Sequence, residues 1–144
     1  MRLVKDILKA KGSLIWSVQP DTTVFDALQL MSDKDIGAVL VIADGDIKGI
    51  FSERDYARKV VLQGRHSKDM PVKEIMSADL ISVNPDQLIE ECMELVTDKK
   101  IRHLPVIENG KVVGIISIGD IVKETISEMK DLIGQLMHYI SGTP

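Results

Sequence analysis

Two short segments of this chain hold residues that could bind a charged ligand: Gly49-Ile50-Phe51-Ser52-Glu53-Arg54-Asp55 and Gly114-Ile115-Ile116-Ser117-Ile118-Gly119-Asp120. Each runs from an apolar, strand-like stretch into a helical one. Free N–H groups and the positive end of the dipole gather at a helix start, where a serine hydroxyl can add a hydrogen bond to a phosphate. The aspartate three residues on accepts hydrogen bonds, and a carboxylate in this position can hold the vicinal hydroxyls of a ribose. Gly49 and Gly114 would let a ligand approach the backbone. The same Ser-x-x-Asp spacing is also a capping box, with serine as N-cap and aspartate at N3, which needs no ligand.

The elements that position these residues are written twice. Val18, Pro20, Asp21, Ile36, Val41, Ile42, Gly45, Gly49, Ile50, Ser52 and Asp55 recur 65 places later as Val83, Pro85, Asp86, Ile101, Val106, Ile107, Gly110, Gly114, Ile115, Ser117 and Asp120, without a gap. Such a repeat is one supersecondary unit used twice, and two units of this size are expected to pack face to face, with the function between them. After Pro20 and Pro85, apolar residues at Val24, Ala27, Leu28, Met31 and at Ile89, Cys92, Met93, Val96 have helical spacing. Asp21, Thr22 and Asp86 offer oxygen or negative charge to the starts of these helices. Two apolar runs follow in each copy, joined by Asp44-Gly45 and Asn109-Gly110, residues suited to a two-residue hairpin. A smaller echo precedes each copy. Val4-Lys5-Asp6-Ile7-Leu8 resembles Val72-Lys73-Glu74-Ile75-Met76 at a shift of 68, so the interval after the echo is three residues longer in the first copy. The polar residues 63–71 read as the loop between copies, giving units at 1–67 with its lead-in and 68–144 with an extended last helix.

Composition limits the classes of function. With 144 residues, 44% hydrophobic and 28% charged, the chain can build a real core. A net charge of −4 speaks against general binding to nucleic acid or an anionic membrane, which needs a basic surface. The longest apolar runs are strand-sized and the first residues carry no signal-peptide core, so a cytoplasmic protein without a membrane span is expected. Cys92, the single cysteine, has no metal-ligand spacing and falls on an apolar helix face, which suits a core thiol better than a reactive one. No metal site is expected. Nor does any nucleophile–base arrangement or Gly-rich phosphate loop with lysine point to an enzyme.

The paired Gly-apolar-apolar-Ser-x-x-Asp junctions, the Val-Lys-Asp/Glu-Ile-Leu/Met lead-ins and Ile101-Arg102-His103-Leu104-Pro105-Val106 together resemble a tandem pair of CBS domains, a Bateman module, over nearly the whole chain. The resemblance implies an α+β fold of two pseudo-twofold units, each β-α-β-β-α, with adenosine-containing ligands in two clefts between them: AMP, ATP, S-adenosylmethionine or NAD(H). By the same resemblance, Asp55 and Asp120 bind ribose and Ser52 and Ser117 face phosphate. One cleft combines Ser117 and Asp120 with residues 12–16, including Ile15 and Trp16, and with Gly37, Ala38 and Val39. The other combines Ser52 and Asp55 with residues 78–81, including Leu80 and Ile81, and with Arg102, His103 and Leu104. Arg54, Arg58, Arg102 and His103 would bring charge to phosphates, making the second cleft the richer one. Arg54 and Arg58, one turn apart beside Glu53, equally suit a solvated surface. Trp16 suits either an adenine platform or a core anchor.

The implied role is a stand-alone regulator that senses an adenine nucleotide and signals occupancy by conformational change to an unidentified target protein. A ligand-free structural or partner-binding module is the alternative. The apolar positions Ile126, Met129, Ile133, Leu136, Met137 and Ile140 continue the last helix beyond the repeat. They must pack either on the chain's own sheets or on a second copy in a homodimer.

Overall fold

The computed structural model describes residues 1–12 and 14–142. Ser13, inside the 12–16 stretch, lies outside the described residues, as do the last two residues of the 68–144 unit. The chain divides into two compact units, Leu14–Ile81 and Met1–Ser13 with Ser82–Pro144. The division is not the linear one at residue 67. Each lead-in packs with the repeat that it does not precede.

In the Leu14–Ile81 unit, β1 (Ser17–Val18) pairs in parallel with β2 (Ala38–Ala43), which pairs antiparallel with β3 (Asp46–Ser52). Asp44 and Gly45 both have positive φ, 54° and 79°, as a twist-matched two-residue turn requires. Helix α2 (Val24–Lys34) buries Val24, Ala27 and Met31 against Val39, Val41 and Phe51 of the sheet. The short helix α3 (Glu53–Tyr56) continues into a wider π turn at Ala57–Val61, whose Val60 completes the core with Val72 and Ile75 of the lead-in.

The other unit repeats this plan. Helix α4 (Ile89–Asp98) precedes the hairpin β4 (His103–Glu108) and β5 (Lys111–Ser117), turned by Asn109 and Gly110 at φ 52° and 76°. Both hairpins slip register at equivalent places, Val41/Ile42 and Val106/Ile107. The counterpart of β1 shrinks to a single parallel bridge, Val83 to Val106, which matches Val18 to Val41 at the 65-residue offset. Burial first, and then the neighbouring Glu91, push the Cys92 thiol up to about 11, so it stays protonated and inert inside the core.

The helix starts differ from expectation. Thr23, not Asp21 or Thr22, caps α2 by accepting from the Asp26 N–H at 3.1 Å, while Thr22 accepts from the Gln19 N–H at 3.0 Å. Glu91, not Asp86, accepts from the Leu88 N–H at the start of α4. The backbone makes a turn after each proline before the helix begins, which moves the cap down the chain.

The lead-ins explain the two glycines. The first is helix α1 (Val4–Lys11), the second a single 3-10 turn at Val72–Glu74. Both are fastened by equivalent backbone bonds. Val4 and Lys5 N–H donate to Gln87 and Pro85 carbonyls, and Val72 and Lys73 N–H donate to those of Thr22 and Pro20. The next turn then presses on the second hairpin strand. A Cβ at Gly49 would stand 2.7 Å from Met76 Sδ and 2.8 Å from the Ser77 carbonyl oxygen; one at Gly114 would stand 2.6 Å from Leu8 Cδ2. Both glycines therefore admit a lead-in rather than a ligand, correcting the expectation from their spacing.

Helix α5 (Ile118–Ser141) buries Ile121 but leaves its later apolar stripe open. Ile126 is 47% exposed and Ile140 81%, with Met129, Ile133, Leu136 and Met137 between these values. The chain's own sheets do not cover the stripe.

Gly49→Ala should destabilise more than Gly114→Ala, by roughly 1–3 kcal/mol against less than about 1, because Gly49 faces a fixed carbonyl and Gly114 the tip of a movable leucine. Urea midpoints of the two variants test the order. Equal losses would show that the Ser77 backbone yields as readily as the Leu8 side chain.

Candidate functional site

Each junction serine stands at a hairpin end, directly across from the first residue of the preceding strand: Ser52 opposite Ala38 and Ser117 opposite His103. Strand pairing continues one step into the helix, with the Glu53 N–H donating to the Gly37 carbonyl and the Ile118 N–H to that of Arg102. Both Ser-x-x-Asp segments are capping boxes. The Asp55 N–H donates to Ser52 Oγ at 3.1 Å and the Ser52 N–H to Asp55 Oδ2 at 3.0 Å. The Asp120 N–H donates to Ser117 Oγ at 3.1 Å and the Ser117 N–H to Asp120 Oδ2 at 2.8 Å. The box holds each carboxylate in place for whatever else it contacts.

Those other contacts differ between the units. At Asp120, the Lys11 ammonium donates to Oδ2 at 2.7 Å and to the Ile115 carbonyl at 2.9 Å. At Asp55, the Ser52 hydroxyl also donates to Oδ2 at 3.1 Å, the Ser77 hydroxyl donates to Oδ1 at 3.3 Å, and Lys59 Nζ lies 3.3 Å from Oδ1. Lys59 further donates to the Ile75 carbonyl of the lead-in at 3.0 Å. Each junction is thus tied to its lead-in by a lysine, but from opposite directions: Lys11 lies on the lead-in, Lys59 on the junction helix. These lysines and Ser77 escape a reading of the repeat, since the positions matching Lys11 and Lys59 are Asp79 and Glu124. The i, i+4 spacing of Asp55 and Lys59 is the one signal that points to any of them.

Arg102 and His103 belong to the unit that holds Ser117 and Asp120; the unit of Ser52 and Asp55 carries Arg54 and Arg58. Arg102 and Arg58 are exposed, Arg54 and His103 half-buried. Ala38, Val39 and Leu104 are buried, so their side chains belong to the protein interior and only their backbone can face a ligand. Ile15, Gly37, Leu80 and Ile81 are half-buried. Trp16 packs against the core of its unit and carries the Lys34 ammonium over its ring, 4.4 Å from the centroid, which favours the anchor reading. No group of three potential metal ligands occurs among the described residues, and none of the described helices is long and apolar enough to cross a membrane.

Burial works against the charged form of Asp120, but the bond from Lys11 and those from Ser117 outweigh it and hold the carboxyl below the ordinary aspartate value. A depressed folded-state pKa contributes stability that is complete above the unfolded value of about 3.9 and is lost as pH falls through the folded value. Lys11→Met should weaken the fold at pH 7 by on the order of 0.5–1 kcal/mol, since the lysine is 36% exposed, and should flatten the decline below about pH 4. Denaturation midpoints between pH 2 and 7 test this. An unchanged acid limb in the variant would remove Lys11 as the cause.

A family model described as CBS domain matches residues 4–62 and again 72–127. A CBS domain-containing protein of Arabidopsis thaliana, CBSX3, named as mitochondrial, is 38% identical over 96% of this chain and 72% of its own length. Among solved structures, a protein with CBS domains from Burkholderia ambifaria shares 52% identity at TM-score 0.85, covering 88% of this chain and 95% of that one. A CBS domain pair solved in complex with 5′-methylthioadenosine and S-adenosyl-L-methionine has the same fold at TM-score 0.78 and 22% identity, over 89% of this chain and 98% of that one. With both repeats matched and the α+β plan of the two units observed, this chain belongs to the CBS-domain family and carries a tandem CBS pair.

Proposed function

We propose that this protein is a regulator that binds an adenosine-containing ligand, with AMP and ATP foremost and S-adenosylmethionine and NAD(H) in the same chemical class, and that it passes occupancy to a protein target by conformational change. In this reading Asp55 and Asp120 accept the ribose hydroxyls. Ser52 and Ser117 turn toward phosphate, with charge from Arg54, Arg58, Arg102 and His103. Ile15, Gly37, Leu80 and Ile81 contribute to the adenine pockets, joined by the backbone of Ala38, Val39 and Leu104, while Trp16 anchors its segment in the core. The observation that carries the reading is the duplicated junction, in which the strand end fixes a serine hydroxyl and a carboxylate by reciprocal bonds. Asp120 adds the chemistry a ribose needs: a carboxylate kept ionised, with the bonds from Lys11 and the Ser117 N–H both on Oδ2. The fold itself accommodates adenosyl groups in the pair solved with 5′-methylthioadenosine and S-adenosyl-L-methionine.

The open face of α5 supports self-association. Its stripe runs from Ile126 to Ile140, and an open groove of about 650 Å³ lies along the same helix beside Val122, Ile126 and the small residues Gly119 and Ser127. An uncovered apolar surface on one long helix suits the same helix of a second copy across a twofold axis. The proposed assembly is a homodimer.

Two measurements test these readings. A ligand confined to the folded state at a hundredfold excess over Kd adds about 3 kcal/mol, a rise of roughly 6–12 °C in Tm for a chain of this size. AMP, ATP, S-adenosylmethionine and NADH are each to be tried at millimolar concentration, and no shift with any of them would end the adenosyl-ligand reading. Light scattering should give about twice the 16.0 kDa chain mass. Ile133→Glu with Leu136→Lys should return it toward monomer, because charge in the contact is desolvated without a partner. A monomeric parent protein would exclude the dimer, and a dimeric folded variant would move the contact off α5.

A further inference from the structure

The two junction carboxylates differ in how much hydrogen-bonding capacity they have left. A carboxylate offers about four lone-pair positions, two on each oxygen. Asp55 has all of them engaged within its own unit: Oδ2 takes the Ser52 N–H and hydroxyl, and Oδ1 takes the Ser77 hydroxyl and faces Lys59. Among the described residues Asp120 accepts from the Ser117 N–H at 2.8 Å and from Lys11 at 2.7 Å, both on Oδ2, with the Ser117 hydroxyl as a weaker third partner, so it has one engagement fewer than Asp55 and none from outside its box except Lys11. A ribose presents two adjacent hydroxyl donors. Asp120 can accept them while keeping its bonds from Lys11 and the Ser117 N–H, whereas Asp55 must first release partners from Oδ1.

We infer that the two junctions fill in a fixed order, Asp120 before Asp55, the reverse of what the larger number of cations expected around Asp55 suggests, because Ser77 and Lys59 act as a latch that keeps the second carboxylate closed. This inference rests on the adenosyl-ligand reading above. The latch contacts are the long ones, both 3.3 Å against 2.7–2.8 Å at Asp120, so the latch can open. Its opening has a structural consequence. Lys59 also holds the Ile75 carbonyl and Ser77 bonds through its backbone to Ile50, so a ligand that takes Oδ1 loosens the seam between the lead-in and β3. Occupancy of the second junction thereby reaches a segment outside the ligand's own contacts. Ser77 is a positioning residue in this scheme: it sets the acceptor state of Asp55 without touching the ligand.

Titration calorimetry of the full chain with AMP, repeated with adenosine, tests the order. The parent protein should show a tighter and a weaker step separated by roughly tenfold or more in Kd, the size of one modest hydrogen-bond exchange. Asp120→Asn should abolish the tighter step and Asp55→Asn only the weaker one. Ser77→Ala should tighten the weaker step several-fold while leaving the other unchanged, a readout that a purely structural serine would not give. It also keeps the test intact should either asparagine variant fail to fold. Loss of the tighter step in Asp55→Asn, equal affinities in the parent, or no effect of Ser77→Ala on the gap would each overturn the order while adenosyl binding stands. Absence of binding by AMP and adenosine to the parent would overturn the order for these ligands, and absence of binding by ATP, S-adenosylmethionine and NADH as well would remove the adenosyl-ligand reading itself.

Discussion

The close approach of a lead-in to a side-chain-free position on the second hairpin strand is the contact from which the junction geometry follows. At Gly49 the Met76 thioether and the Ser77 carbonyl occupy the space of a missing Cβ; at Gly114 Leu8 does. With the lead-in this close, Ser77 and Ile50 exchange backbone hydrogen bonds at 2.8 and 3.0 Å, and the Ser77 hydroxyl comes within reach of Asp55. On the other side, Lys11 lies three residues beyond Leu8, on the same face of α1, and so reaches Asp120. The glycines thus act at one remove from the candidate site. They admit the segments whose polar ends reach the carboxylates.

A symmetric scaffold therefore carries asymmetric chemistry. The hairpins, their turns, the register slips and the capping boxes recur at a constant offset, because each depends on residues within one copy. The groups that neutralise the two aspartates do not recur. Lys11 comes from α1 and Lys59 from the turn after α3, and each bonds a backbone carbonyl of the opposite element. Divergence at these positions changes the acceptor state of a carboxylate without disturbing the strands that hold it. A duplicated module can in this way acquire two sites of different affinity while the core residues keep their packing.

The last helix diverges in a second way. The helical segment after Ser52 passes into a π turn and ends at Val61, whereas α5 runs 24 residues from the equivalent point. Its first turn buries Ile121, and Arg2 pairs with Glu124 and Asp131 along its polar side. The apolar side beyond is left to solvent in a single copy. A helix so divided is anchored by charge along one face and available for contact along the other.

Much of each unit was legible in the amino-acid sequence because the forces involved act over a few residues. Asp44-Gly45 and Asn109-Gly110 specify tight turns through the φ values they tolerate, and Ser52 to Asp55 and Ser117 to Asp120 close boxes across three residues. Helical spacing identified the buried face of α2, and the family resemblance rested on the same local patterns. Tertiary structure alone decided where the lead-ins pack, why Gly49 and Gly114 lack side chains, which groups meet Asp55 and Asp120, and that Lys34 covers Trp16. These depend on contacts between segments far apart in the chain, such as Lys11 and Asp120. Periodicity reports which face of an element is apolar, but the fit of one side chain against a distant glycine, or of one ammonium against a distant carboxylate, is settled only when the backbone brings them within a few ångströms.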